Sequence, residues 1–404
     1  MHVSVKQEGM NMEYKLYGDG IHDDTLCLQN MIDSANRELC LPMPEVHYLI
    51  SKPLELPSNF KLKLPRYAEV KLAKGSNCVM LKNKTLNDPA ERIAPELFDF
   101  VNEYSPEYPC ENIEVEGGIW NLNNKEQAKN PILDGNYVPR GYNGFIFLFY
   151  NVIGLRISSL TLKDPVTFSV TLDRVSYFTV DNIVFDFNYG NPLATNMDGI
   201  HVNGNCHFGE IRNLKGACYD DLVALNADEG TAGEISNILI DGLYAEDCHS
   251  AVRILSANYP VKNVHITNVF GTYFQYCIGL TRFFPTRDKG FLDAITLDNI
   301  YASKAVRIPV YNKPPTAYVY PFIYIQEKVR VKGLKIANLH RREENVPVET
   351  IYVGSDSIVE QMTLDNITTE NHTDSENMPL LVNNGEILHL YANMVFEDGK
   401  EFKS

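Results

Sequence analysis

Three aspartates and a histidine near the middle of this 404-residue chain are the residues best placed to do chemistry. They fall in Asn196-Met197-Asp198, Tyr219-Asp220-Asp221 and Cys248-His249-Ser250, so Asp198 precedes Asp220 by 22 residues and Asp221 precedes His249 by 28. If each interval is one turn of a repeating coil, all four stack on one face, because successive coils lie about 4.8 Å apart. Several carboxylates and an imidazole in one cleft suit acid/base work. In glycoside hydrolysis by inversion, a protonated carboxyl donates to the leaving oxygen and an ionised carboxylate about 6.5–9.5 Å away activates water. Two adjacent coils offer about that span. Crowding makes the two carboxyls unlike, since neighbouring negative charges force one of them to keep its proton near neutral pH. A lone Asp-Asp pair in a turn would be a solvated corner. The Asn-x-Asp one coil earlier and the His one coil later lift Asp220 and Asp221 above that reading.

Positioning these residues falls to a repeat without a strict period. From about residue 112 an alternating stretch, an Asn or Gly, and a second alternating stretch recur, as in NIEVEGGIW (112–120), YFTVDNIVFDF (177–187), NILIDGLYAED (237–247) and AITLDNIYAS (294–303). Taking the residue before the second stretch as a marker gives Gly118, Ser159, Asn182, Asn213, Gly242, Asn268, Asn299, Asn338 and Asn366, at steps of 23 to 41 residues. Two-residue alternation means strands, and the loose recurrence means one solenoid coil per step, with loops in the long steps. The expected fold is all-β: a single-stranded right-handed parallel β-helix, with residues 1–404 in one domain. Leucine-rich repeats need a fixed Leu/Asn frame and propellers need four strands per repeat, and neither pattern is present. Asn at the marker is a corner residue, because it tolerates left-handed backbone angles. A solenoid's open end must be covered. Residues 24–36 place Leu28, Met31, Ile32 and Ala35 at helical spacing behind Asp23 or Asp24 as N-cap. About 13–50 is therefore read as an N-terminal capping region with a short helix, and 385–404 as the C-terminal end of the solenoid. The aspartates of YGDGIHDDT (17–25) are read as a cap and a tight turn.

The net charge of −16 opposes binding of nucleic acid and anionic membranes. No apolar run approaches a membrane span, and the first twenty residues lack the apolar stretch of a signal peptide. The expectations are an oligosaccharide or polysaccharide substrate, no nucleic-acid or membrane partner, and a monomer or weak oligomer. The chain as written reads as cytoplasmic, or as secreted if an export signal was removed. Eight cysteines without a CxxC pair are expected to be free and mostly buried. No cofactor and no metal are expected. Cys248 and His249 are a close Cys/His pair, but adjacent strand residues face opposite sides.

At these residues the chain resembles glycoside hydrolase family 28, the polygalacturonase group of the pectin-lyase-like superfamily. That family's pattern is Asn-Thr-Asp, then Asp-Asp, then Gly-His-Gly, then Arg-Ile-Lys. Asn196-Met197-Asp198 matches the first element with Met in place of Thr, and Asp220-Asp221 matches the second. Cys248-His249-Ser250 keeps the histidine of the third and loses both glycines. The fourth falls near Arg282-Phe283-Phe284, with the arginine and without the lysine. YGDGIHDDT also looks like the opening common to the superfamily. The resemblance implies Asp220 as general acid, Asp198 and Asp221 as the residues that hold and deprotonate water, His249 as the group that tunes the acid, and Asn196 and Arg282 on the substrate. It implies inverting hydrolysis of a pectin-like or related oligosaccharide. In the family the arginine and lysine hold the substrate's carboxylate, so the missing lysine argues against polygalacturonate itself.

Arg253 shares strand parity with His249 and can face the cleft, either to bind an anionic sugar or to pair with Asp247. Tyr189, Tyr219, Tyr259, Phe283 and Phe284 are candidates for sugar stacking or for core filling. Two other functions compete on the same fold. A polysaccharide lyase or uronate epimerase would use His249 or Arg253 for proton abstraction, often with calcium. A tailspike-like protein would bind glycan without cleaving it.

Overall fold

The computed structural model describes residues 2–7, 10–84, 109–130, 143–283, 290–306, 319–375 and 378–402. The fold is a right-handed parallel β-helix, nearly all-β, with one α-helix among the described residues. Strands from Glu38–Cys40 to Glu386–Glu397 pair in parallel with strands of the neighbouring coils. From residue 200 onward each coil alternates a short strand with a long one. The long strands, such as Val170–Asp186, Ile235–Cys248 and Leu292–Lys304, run through a corner. The short strands Ile200–Asn203, Asp221–Asn226, Ser250–Leu255, Ile278–Thr281 and Ile323–Ile325 stack in register to form one face.

The corners explain the marker residues. All nine, from Gly118 to Asn366, have φ between 49° and 81°, a region that costs most other residues about 1–2 kcal/mol. Their amides also link coil to coil. Asn366 Nδ2 donates to Asn338 Oδ1 at 2.7 Å, Asn268 to Asp241 at 2.6 Å and Asn213 to Asp181 at 2.8 Å. Between corners, strand alternation sends Val170 and Leu172, Ile200 and Val202, Val223 and Leu225, Val252 and Ile254, and Ile278 and Leu280 inward as buried stacks. Each such side chain contributes roughly 1.5–3 kcal/mol of burial. The opposite parity on the short strands faces outward and is free for chemistry.

The helix Thr25–Ser34 closes the first coil by burying Cys27, Leu28 and Ile32. Asp24 occupies the N-cap position, yet its carboxylate turns back to accept from Tyr17 N at 2.6 Å and Gly18 N at 3.0 Å, so it fixes the preceding turn. Asp23 accepts from Thr25 N at 2.8 Å and from the Ser51 hydroxyl. Neither is near the mid-chain aspartates. An antiparallel hairpin, His2–Gln7 with Met10–Lys15, precedes the helix. The sequence reading did not separate it, because its alternation is indistinguishable from that of a coil. All eight cysteines are free and five are buried. Among the described residues no helix is long and apolar enough to cross a membrane.

Candidate active site

Three successive coils bring the mid-chain aspartates together at the N-terminal ends of short strands. Asp198 precedes Ile200–Asn203, Asp221 opens Asp221–Asn226, and Ser250, the register partner of Asp221, opens Ser250–Leu255. Backbone hydrogen bonds tie the corners to one another. Tyr219 N donates to Met197 O at 3.2 Å, Gly199 N to Asp221 O at 2.9 Å and His249 N to Cys218 O at 3.1 Å. One carboxylate oxygen from each of Asp198, Asp220 and Asp221 lies within 4.8 Å of the other two. Asp198 and Asp221 are buried at 1% exposure, while the Asp220 side chain is 14% exposed. The trio is therefore more crowded than the sequence suggested. Its nearest oxygens fall short of the 6.5–9.5 Å expected for an inverting pair, because neighbouring coils can separate stacked side chains by little more than one strand spacing.

Cations and donors surround the trio on the outward row. His201 Nδ1 meets Asp198 Oδ2 at 2.7 Å, and His201 Nε2 meets Glu229 Oε2 at 3.0 Å. Phe168 stacks on the imidazole at 3.8 Å between centroids, a face that favours a cationic ring. Burial alone would lower the pKa of His201, but the hydrogen bonds to Asp198 and Glu229 outweigh it and push it up to about 9. The ring is thus an imidazolium at neutral pH. Arg253 Nε lies 2.7 Å from Asp221 Oδ2, and Ser250 Oγ donates to Asp221 Oδ1. Burial, Asp220 and Asp198 nevertheless outweigh the pull of Arg253 and push Asp221 up to about 7. Burial also raises Asp198, against the hydrogen bond from His201 and with the help of Asp220. Four carboxylates, counting Glu229, face two fixed cations in a buried patch, so the cluster retains a proton that belongs to the group rather than to one residue.

The remaining expected residues divide. His249 Nδ1 lies 3.4 Å from Asp220 Oδ1, within ion-pair distance. Arg253 reaches the site and pairs with Asp221, not Asp247. Simple parity from His249 is not the reason, because Ala251 and Val252 both enter the core and the alternation resets at that bend. Asn196 adopts a left-handed corner (φ 49°) and accepts from Thr195 Oγ1 at 3.3 Å; among the described residues no hydrogen bond ties it to the trio. Arg282 is directed to the turn of the next coil, with its backbone N–H on Gln326 Oε1 at 2.6 Å and Nη1 on Lys328 O at 3.4 Å. Phe283 is 38% exposed and lies 5.6 Å from the Arg253 guanidinium, open to a ligand. Tyr189 and Tyr219 pair at 5.6 Å, and Tyr259 packs against the core. Phe284 lies outside the described residues. His201, Glu229, Ser250 and Phe168 were not singled out from sequence. The signal for His201 was present, since it sits three residues after Asp198 with polar Asn203 at the same parity.

No protein-family model matches the chain, and no curated protein sequence does. Solved structures match it by shape. An endo-xylogalacturonan hydrolase from Aspergillus tubingensis superposes with a TM-score of 0.57 at 11% identity, over 91% of this chain and 98% of that one. A surface adhesin of Streptococcus pneumoniae gives 0.53 at 14%, over 94% and 92%. A hyperthermoactive exopolygalacturonase from Thermotoga maritima gives 0.50 at 16%, over 93% and 89%. At these identities the likeness establishes the β-helix and no more. It includes pectin-degrading hydrolases and an adhesin alike, so the function must be argued from the site.

Proposed function

We propose that the chain is a glycoside hydrolase that cleaves a pectin-like or related oligosaccharide with Asp198, Asp220 and Asp221. The observation that carries the reading is a buried trio of carboxylates made unlike by their neighbours. Asp220 is the most exposed of the three and faces His249, which suits an acid that must reach a leaving oxygen. Asp198 and Asp221 lie beside an imidazolium and a guanidinium, which pull toward the ionised form that a base requires, against the burial that raises both carboxyls. Among the described residues Asp198 Oδ1 takes no hydrogen bond. A water held between it and Asp221 would need two contacts of about 2.8 Å, which together cover the separation. That water would attack from the side opposite the leaving group and invert the anomeric centre. The 4.8 Å limit on the nearest oxygens supports a second outcome, retention through a covalent intermediate on one aspartate, since retaining pairs are about 5–5.5 Å apart.

The same oxygens are close enough to share an oxygen-seeking cation such as Ca²⁺. Against that, the Arg253 guanidinium already lies 2.7 Å from Asp221 and would repel it. A glycan-binding surface, for its part, has no use for three like charges buried at a cost. The deciding experiment is a screen of the purified protein against pectic, galactoside and rhamnoside oligosaccharides. Product masses report cleavage, and proton NMR of the first-formed anomer separates inversion from retention. Unsaturated products absorbing in the ultraviolet would instead support a lyase, and retention of glycan without turnover would support a binding protein.

A further inference from the structure

Lys304 is the most deeply buried ammonium among the described residues and has no part in the chemistry above. It ends the strand Leu292–Lys304, is 0% exposed, and stands in register with Tyr273 on the coil before it. Its Nζ donates to three backbone carbonyls, Phe274 O at 2.7 Å, Tyr320 O at 3.0 Å and Gln275 O. An ammonium has three N–H donors and no acceptor, so three carbonyls satisfy it completely. A neutral amine has two donors and a lone pair, and the lone pair would have to face one of those oxygens.

The corner so gripped is the underside of the candidate site. Phe274 N donates to Cys248 O at 2.8 Å, and Gln275 N donates to His249 O at 2.7 Å. A continuous line of hydrogen bonds thus runs from Lys304 through Gln275 to the backbone of His249, whose ring faces Asp220 at 3.4 Å. The next residue, Tyr276, is buried and feels the charges of Asp221 and Arg253. Its ring lies over Gly279, where an added Cβ would meet Cε2 at 2.5 Å. Gly279 is in turn the register partner of Arg253.

We propose that Lys304 is a positioning residue: by holding three carbonyls with three protons, it fixes the corner that presents His249 to Asp220, and losing one of those protons loosens it. The inference rests on the hydrolase reading of the site and adds an alkaline limit to its activity. The groups around Lys304 are Arg341 and Glu343 from the strand Arg330–Glu343, Cys277 beside the gripped corner, and Asn345, whose Nδ2 donates to Lys304 O at 3.3 Å. Arg341 is already tied to Glu343 through Nε and Nη2, at 3.0 and 2.7 Å, so Glu343 does not neutralise Lys304 alone. Burial and Arg341 pull the proton off, down to a pKa of about 7, against Glu343 and Cys277, which hold it on.

The test uses the full chain and two variants, Lys304→Met and Lys304→Gln, neither of which can supply three donors. The readouts are rates from pH 5 to 10 on the oligosaccharide found by the screen, and the His249 ring resonance in histidine-labelled protein, assigned with His249→Gln. The expected result is a folded variant with kcat down about tenfold or more, KM changed less than threefold, loss of the wild-type alkaline fall in rate, and a moved His249 resonance. The tenfold figure corresponds to one well-placed hydrogen bond. Unchanged rates with an unmoved resonance would overturn the proposal. If no oligosaccharide is turned over, the hydrolase reading fails on its own and the resonance still decides whether Lys304 positions His249. If both variants unfold, the wild-type Phe274 and Gln275 amide resonances are followed from about pH 6 to 8.5, across the Lys304 titration; a shift there supports the clamp, and a flat trace overturns it.

Discussion

Replacing Asp221 with Asn should abolish turnover and at the same time make stability less dependent on pH, with the variant gaining on the wild type as pH rises. Asp221 is 1% exposed and its carboxyl is pushed up to about 7, against a reference of 3.8. A raised carboxyl pKa means that, between those values, the folded protein binds more protons than the unfolded chain. Stability therefore falls as pH rises through that window. Integrating this single titration, the carboxyl destabilises the fold by about 2 kcal/mol at pH 5 and about 4 kcal/mol at pH 8, relative to its protonated form. The amide removes this dependence, so the wild-type-to-variant difference should change by about 2–3 kcal/mol over that range. Leaving Arg253 without its 2.7 Å partner subtracts a roughly pH-independent amount. With an unfolding entropy of about 2.1 cal/mol/K per residue, 1 kcal/mol is worth about 1 °C in a chain of this length. Melting curves at pH 5 and pH 8 should thus show Asp221→Asn gaining about 2–3 °C on the wild type at the higher pH. A gap that is flat, or that moves the other way, would show that Asp221 is not held protonated by its surroundings, and the division of labour in the trio would have to be redrawn.

Four further outcomes are expected. Asp198→Asn and Asp220→Asn should each lower kcat by about 10²–10⁴ with circular dichroism unchanged, and His249→Ala should lose less while shifting the acid limb of the pH–rate profile. His201→Gln removes the imidazolium beside Asp198, so its carboxyl should rise further and the acid limb should move to higher pH; a superimposable profile would remove His201 from the site. Polymeric polygalacturonate should be turned over at no more than about a tenth of the best neutral oligosaccharide's rate, since Arg253 is already committed to Asp221 and one charged hydrogen bond is worth about 1.5–3 kcal/mol; equal rates would contradict this. Exhaustive chelation should leave turnover intact, and recovery with calcium alone after a loss would transfer the site to the lyase reading.

What could be read from the sequence was what strand periodicity and corner geometry control. The nine markers were assigned to corners because Asn and Gly accept left-handed angles, and all nine adopt them. The convergence of Asp198, Asp220, Asp221 and His249 followed from coil spacing alone. What escaped was whatever depended on a bend inside a coil or on a parity that contradicts polarity. The trio's separation could not be had from spacing, because the aspartates stand at strand entrances where the backbone turns. Arg341 and Glu343 lie in HRREE, a charge run that reads as solvated surface. Yet they share the inward parity of Leu339 and are 1% and 0% exposed. Parity decided their fate, and their mutual hydrogen bonds make it tolerable.

The same conflict accounts for the design of the candidate site. A β-helix offers an enzyme one dimension of fine control, the row of outward residues on stacked short strands, and that row fixes neighbours about 4.8 Å apart. Carboxylates placed on successive coils must repel, so the fold can keep three of them only by supplying charge from the same row. His201 is such a residue, stacked on Phe168 and bridging Asp198 to Glu229. Arg253 is the other, in line with His201 through Ala224, whose small side chain leaves it space to reach Asp221. Counter-ions bonded this tightly to the trio are poor candidates for holding a substrate's own carboxylate. The arrangement that makes the acids usable therefore also restricts the substrate: a glycan recognised here would rely on hydroxyl contacts and on the exposed Phe283 ring more than on charge.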